Sequence, residues 1–354
     1  MKIASIEYFP IEMDLSRPYT IAYETVSKTT NVILKITTNT GLTGWGIASP
    51  DKEITSETPE MVIHNFKNLI EPMLIGQNPF QLVHFMEELK AELFKNNSTK
   101  AAVDIALLDL MARKARLPLY QLLGGFQHSI ATSITIGIES LKETMDQTQY
   151  YLKKGFTIIK LKGGLNFDED VEKVKKMREK YGFDFKLRFD ANQGYSVSQA
   201  IDFVKQTKPA QIEIFEQPTK AGDNISLGKV IEKVDIPIMA DESIKSLKDA
   251  YKLVSNDIVD MINIKIQKIG GILEAQHINS VARAAGAEVM VGCLDESALG
   301  IAAGLHFALS RPNIKFADLD GNLDLLDDPF CDLMELKNGI LYPNKHSGLG
   351  KIKL

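Results

Sequence analysis

Cysteine is scarce in this chain of 354 residues, which holds only Cys293 and Cys331. Two cysteines imply no disulfide framework, so a reducing, cytoplasmic setting is expected. No uncharged run reaches the ~18 residues that a membrane span requires. The first residues, Met1-Lys2-Ile3-Ala4-Ser5-Ile6-Glu7, lack an apolar signal core. No basic tract stands out and the formal net charge is −5, which argues against a nucleic-acid partner. None of the six histidines falls at a predicted strand end. That weighs against a His-rich zinc or iron site and against histidine as acid or base.

What is present is a core-forming composition, 44% hydrophobic and 25% charged. The length suits one large barrel with a smaller domain. From Ile158 to Lys265, a charged group recurs at the end of each short apolar run. The runs end at Lys162, Asp190, Glu216, Asp241 and Lys265, with steps of 28, 26, 25 and 24 residues. One strand, one helix and two short loops fill such a step, which predicts a repeated βα unit. Parallel strands in a closed barrel point their C-terminal ends at one mouth, where barrel active sites sit. Lys160 and Lys162 are two apart and share a strand face.

The expected fold is α/β, a modified (β/α)₇β TIM barrel with an α+β capping domain. Residues 1–125 are expected to form the cap, 126–328 the barrel, and 329–354 a C-terminal segment returning to the cap. Strands are read at Ile3 to Pro10, Thr30 to Thr37 and Leu42 to Ala48, with Ser16 to Lys28 as a long loop carrying Arg17, Tyr19, Tyr23 and Glu24. Ser98 is read as the N-cap of a helix over 99–115. Asp104 and Asp109 lie five apart, off a single helical face, and are read as partners of arginines or backbone groups. Barrel strands one and eight are placed at Ala131–Ile136 and Ile314–Asp320.

Asp190, Glu216 and Asp241 on successive strands offer hard oxygen ligands that suit Mg²⁺. With no histidine available, lysine must supply the base, and Lys160 is expected to lower the pKa of Lys162. Strands two and six are four apart in a ring of eight, which sets Lys162 and Lys265 on opposite sides of the mouth. A carbon held between them could lose a proton to one and regain it from the other, inverting a stereocentre.

These motifs carry a resemblance. The chain is similar to the enolase superfamily, in the muconate-lactonizing-enzyme subgroup. The matching segments are Lys160-Leu161-Lys162, Asp190-Ala191-Asn192-Gln193-Gly194, Glu216-Gln217-Pro218, Asp241-Glu242-Ser243, and Asn263-Ile264-Lys265 with Gly270-Gly271. Sites of this superfamily pair a Lys or His base with Mg²⁺ on an enediolate. The resemblance implies that Lys162 and Lys265 are the base pair, Lys160 a helper near the substrate carboxylate, and the three acids the Mg²⁺ ligands. Asp318-Leu319-Asp320 resembles the pair by which dipeptide epimerases bind an α-ammonium, a group two carboxylates suit. Thr135 resembles a substrate-contacting position, and Cys293 is expected to line the same pocket.

The resemblance thus implies epimerisation of L-Ala-L-Xxx to L-Ala-D-Xxx, with glutamate the default second residue by family frequency. An N-acylamino-acid racemase or o-succinylbenzoate synthase is the enzymatic alternative, and a ligand-binding barrel the non-enzymatic one. Two departures stand out. Gly44-Trp45-Gly46-Ile47 replaces the common Gly-Trp-Gly-Glu, and Glu24 stands where L-Ala-D/L-Glu epimerases carry an arginine. Arg17 is a candidate substitute for that arginine. A small-molecule dipeptide is the expected partner, and homo-oligomerisation is left open.

Overall fold

The computed structural model describes residues 1–22 and 25–353, so the expectations for Tyr23 and Glu24 lie outside the described residues. The chain opens with an antiparallel sheet of β1 (Ile3–Thr20), β2 (Thr25–Thr38) and β3 (Thr43–Ala48). The segment expected as a loop after Ser16 is mostly strand, with Tyr19 opposite Val26 and Thr20 opposite Thr25. A register shift between Asp14 and Tyr19 bends this ribbon. Backbone bonds from Ser16 N to Asp324 O (2.7 Å) and from Leu326 N to Asp14 O (2.9 Å) tie it to the far end of the chain. Tertiary partners more than 300 residues away thus stabilise strand pairing that local pattern does not show.

Helices α1 (Pro59–Asn65) and α3 (Asn97–Ala115) pack on this sheet, and α2 (Leu82–Glu92) packs on α3. α3 begins one residue before Ser98, so Ser98 is not its N-cap. Its first turn is instead capped by the buried Glu57 carboxylate. That group accepts from Ser98 N (2.7 Å), Thr99 N (3.1 Å) and both hydroxyls (2.6 Å each). An acid at a helix N-terminus satisfies free N–H groups and suits the helix dipole. β3 lies directly on α3 at Gly44 and Gly46. A Cβ on Gly46 would fall 2.0 Å from the Ala102 carbonyl oxygen, and one on Gly44 2.3 Å from that of Ala106.

The eight barrel strands follow in ring order. They are β4 (Ile134–Ile136), β5 (Ile158–Lys162), β6 (Lys186–Asp190), β7 (Ile212–Glu216), β8 (Ile238–Ala240), β9 (Met261–Lys265), β10 (Glu288–Gly292) and β11 (Ile314–Asp318). All neighbouring pairs are parallel. Ser133 N donates to Ala317 O at 3.1 Å beside a Thr132–Ala317 bridge, which closes the ring. Strand one is shorter than expected because Ile130–Ala131 pairs with a C-terminal hairpin strand, Ile340–Pro343. Strand eight ends at Asp318, leaving Asp320 in the loop beyond it.

The connecting helices are α4 (Leu141–Lys153), α5 (Phe167–Tyr181), α6 (Val197–Thr207), α7 (Asn224–Ile231), α8 (Leu247–Val254), α9 (Ile272–Ala285) and α10 (Ala298–Ala308). Capping boxes start α4 at Ser140 with Glu143, and α6 at Ser196 with Gln199. Inside the barrel, Ile214, Met239, Met261 and Met290 form a separate apolar cluster. Arg188 lies over the Phe316 ring and donates to Ala317 O (3.0 Å) and Glu213 (2.8 Å). The filled interior leaves the C-terminal mouth as the reactive end.

Asp104 and Asp109 act as structural acceptors. Asp104 takes the Ile272 (2.6 Å) and Leu273 (3.2 Å) N–H groups at the start of α9. Asp109 takes those of Trp45 (2.9 Å) and Leu349 (2.7 Å) and the Arg113 Nε–H (2.8 Å). The two acids join the cap to the barrel and to the C-terminal tail. Gly46→Ala is expected to destabilise the protein by ~1–3 kcal/mol through forced separation of β3 and α3. Urea unfolding measures this, and an unchanged midpoint would contradict the close approach.

Candidate active site

Strand register brings the predicted charges to one layer. Thr135 is paired with Lys160, and Lys162 with Asp190, which in turn faces Glu216. Lys265 is paired with Gly292, and Gly292 with Asp318. Lys160, Lys162, Lys265, Thr135, Cys293, Asp318 and Asp320 all line one pocket of about 120 Å³ between barrel and cap. Asp190, Glu216 and Asp241 lie beneath it, at most 2% exposed. Arg17, Tyr19, Asp51 and Ile54 form the capping-domain wall.

The Lys160 ammonium lies among Glu216 (2.6 Å), Asp318 (2.9 Å) and Asp190 (3.1 Å). Burial works against its charge, yet Asp318, Glu216 and Asp190 hold its pKa well above the usual lysine range. Lys160 therefore does not serve as the free cation expected to act on Lys162, because its charge is committed to three acids. Lys162 Nζ reaches Asn192 Oδ1 (3.0 Å) and Asp190 Oδ2 (3.3 Å). Lys265 Nζ stands 2.8 Å from Asp241. Burial is again opposed there by Asp241, and the Lys265 pKa lies well above the usual range.

Among the described residues, no three His, Cys, Asp or Glu side chains are grouped as a ready metal cage. Asp190, Glu216 and Asp241 lie close enough for their charges to act on one another, and lysines stand among them. Lys160 stands between Asp190 and Glu216, while Lys265 and Lys268 take Asp241. Adjacent buried carboxylates repel, and an intervening ammonium relieves that repulsion. The compensation is incomplete at Glu216. Burial, with the Asp190 and Asp241 charges, pushes its carboxyl up to about 8 despite Lys160. Glu242 is pushed up to about 7 by burial and the same two aspartates, and its Oε2 has no hydrogen-bond partner. A donor set of buried carboxylates with unmet negative charge fits a hard divalent cation in chemistry.

The two acids after β11 differ. Asp318 accepts from Ser133 Oγ (2.6 Å) and Lys160 Nζ (2.9 Å). Burial would raise its carboxyl, but Lys160 and Ser133 hold it at about 2. Asp320 accepts from the Thr135 N–H at 2.6 Å and the Cys293 thiol at 3.8 Å. Burial and the Asp318 charge push it up to about 7. Cys293 Sγ also donates to Asp318 O at 3.2 Å and receives Gly321 N at 3.3 Å.

Several contributors escaped the sequence reading. Asn192 and Glu242 sit inside quoted motifs but carry no charge-pattern signal of their own. Asn263 Nδ2 donates to Glu216 at 2.8 Å, and Lys268 follows its strand by three residues. Tyr19 crosses from the cap to donate to both oxygens of Asp295, at 2.7 and 2.9 Å. Only the folded chain shows these pairings.

A barrel with lysines on opposite strands, carboxylates beneath and a cap above defines the enolase-type class of fold and site. Residues 143–351 match the family model described as "Enolase C-terminal domain-like". Residues 5–124 match "Mandelate racemase / muconate lactonizing enzyme, N-terminal domain". The chain belongs to this family, and its curated relatives are epimerases and racemases, which makes it an isomerase.

A hydrophobic dipeptide epimerase of Enterococcus faecalis is 38% identical over 352 residues, covering 99% of both chains. An L-Ala-D/L-Glu epimerase of Bacillus subtilis is 37% identical, over 93% of this chain and 91% of its own. An L-Lys-D/L-Arg epimerase of Desulforapulum autotrophicum is also 37% identical, over 99% of each. The solved Enterococcus faecalis V583 dipeptide epimerase, complexed with Mg and L-Leu-L-Tyr, superimposes with a TM-score of 0.94 at 37% identity, covering 99% of each chain.

Mg²⁺ titration by calorimetry is expected to reveal one site per chain. Asp241→Asn should weaken it by at least ~10-fold, through loss of ligand charge. An isotherm unchanged by that substitution would remove Asp241 from the ligand set.

Proposed function

We propose that this protein is an Mg²⁺-dependent dipeptide epimerase that inverts the α-carbon of the second residue, converting L-Ala-L-Xxx to L-Ala-D-Xxx. One observation carries the reading: Lys162, Lys265, Asp318 and Asp320 line a single pocket. Asp190, Glu216 and Asp241 are the residues that would hold Mg²⁺. When bound, the cation supplies positive charge for the substrate carboxylate and for the charge that develops as the α-proton leaves.

The remaining roles belong to the chain. Asp318 and Asp320 receive the substrate α-ammonium, with Thr135 holding Asp320 in place and Cys293 closing the wall beside them. Asp320 is the better recipient, since its charge has no cation of its own among the described residues. Lys160 keeps Asp318 ionised and offsets part of the negative charge of the floor beneath the substrate. The α-carbon lies between Lys162 and Lys265. Its C–H bond breaks toward one amine, the electron pair stays in the planar carboxylate-stabilised carbanion, and the opposite ammonium delivers a proton to the other face. For this, one lysine must be neutral and the other charged, and the assignment reverses with the starting epimer.

An N-acyl or N-succinyl substrate brings no ammonium to the acid pair, and a succinyl group would set a carboxylate against it. That supports the dipeptide reading over the racemase and synthase alternatives. A ligand-binding barrel gives no reason for two lysines to face one pocket from opposing strands. The related epimerases of nearly equal identity act, by name, on hydrophobic, glutamyl and basic dipeptides. Identity therefore does not choose Xxx, and glutamate stands as a default by frequency alone.

In D₂O with Mg²⁺, NMR is expected to show α-deuterium entering only the second residue. Lys162→Ala and Lys265→Ala should each lower epimerisation by ~10²–10⁴-fold or more, while exchange persists from the epimer facing the remaining lysine. Epimerisation at the parental rate in either variant would refute the paired-lysine roles.

A further inference from the structure

The pocket holds more acid than the proposed chemistry uses, with seven acidic lining residues against four basic ones. Lys160 is enclosed by three carboxylates, and Lys162 and Lys265 each rest on one. Glu242, only 4% exposed, lines the same pocket with an unpartnered oxygen. Two further acids, Asp295 and Asp51, form no ion pair among the described residues. Asp295 is met by the neutral Tyr19 hydroxyl alone. Asp51 accepts the Glu53 (2.8 Å) and Ile54 (2.7 Å) N–H groups through one oxygen. A carboxylate offers about four acceptor positions, so both keep capacity for a ligand.

Their placement gives them a task. Asp295 lines the same pocket as Lys162 and Lys265, the two lysines that flank the reacting carbon, and their charges act on it. Asp295 is also held firmly, because its backbone carbonyl accepts from Thr29 Oγ1 (3.0 Å) and Asn31 Nδ2 (3.2 Å) of the cap. Consider the substituents of that carbon. The carboxylate points to the floor, the hydrogen to a lysine, and the amide nitrogen toward the ammonium site at Asp318 and Asp320. The side chain is left facing the wall that Leu294 and Asp295 make with Arg17, Tyr19, Asp51 and Ile54 of the cap. Leu294 and Ile54 can cover an aliphatic stem while the acids meet its charged end, the way long basic side chains are ordinarily accommodated.

We infer that the second residue of the preferred substrate carries a cationic side chain, an ammonium or guanidinium of the lysine or arginine type, received by Asp295 with Asp51. The inference rests on the epimerase reading and names the substrate class for the same site. It replaces the glutamate default, since a glutamyl carboxylate would face two acids that form no ion pair among the described residues.

The test compares α-proton exchange in D₂O for L-Ala-L-Lys, L-Ala-L-Leu and L-Ala-L-Glu under Mg²⁺. The lysyl dipeptide is expected to exceed both others in kcat/KM by at least ~10-fold, the size expected for a charge-assisted hydrogen bond. Asp295→Asn should then reduce the lysyl-to-leucyl ratio by ~10–100-fold. A wild-type preference for the glutamyl or leucyl dipeptide would overturn the inference and leave the epimerase standing, as would a ratio unmoved by Asp295→Asn. Absence of exchange with all three dipeptides would instead overturn the epimerase reading itself. The wild-type ranking decides the matter even where the variant folds poorly.

Discussion

One buried ammonium organises the reactive end of this barrel. Lys160 Nζ lies within 3.1 Å of carboxylates from β6, β7 and β11, so a single side chain from β5 joins acids from three other strands. Removing one partner of such a buried network costs about 3–5 kcal/mol, because the remaining charges are left unpaired in a poorly solvated site. The floor of the pocket exists in this form because that charge is there. Its consequence is functional as well as structural: Asp318 is held ionised while Asp320, two residues on, is not compensated.

A second constraint sets where chemistry can occur. The cap and barrel meet through groups that fix backbone as well as side chain. Asp104 takes the N–H groups at the start of α9, and Asn31 and Thr29 hold the carbonyl of Asp295. Gly44 and Gly46 let β3 approach α3 to a distance that no side chain permits. The pocket wall over the two lysines is thus tied to the cap through the Asp295 carbonyl, and side chains held in this way can select among substrates.

Much of this was legible from the chain alone. The recurring charge at the end of each apolar run located the strand ends from Lys162 to Lys265. The same spacing placed Lys160 beside Lys162 and put Asp318 and Asp320 together. Other features stayed hidden. Glu57 caps a helix 41 residues ahead of it, and no local pattern marks a cap supplied from that distance. The ribbon through Tyr19 reads as loop because its stabilising partners lie near Asp324 and Leu326. Lys160 looked like a neighbour for Lys162, yet proximity in sequence did not reveal that three acids would surround it.

The sequence by itself determined the periodic framework, because a strand's alternation and a repeat's length are written in residue order. It also determined which residue types could reach the mouth. Only the tertiary structure decided how those charges divide among partners, since pairing depends on distances between strands far apart in the chain. Asp295 illustrates the difference. In the sequence it is one acid after a strand, and in the fold it accepts from the Tyr19 hydroxyl, lines one pocket with two lysines and has its carbonyl held by the cap.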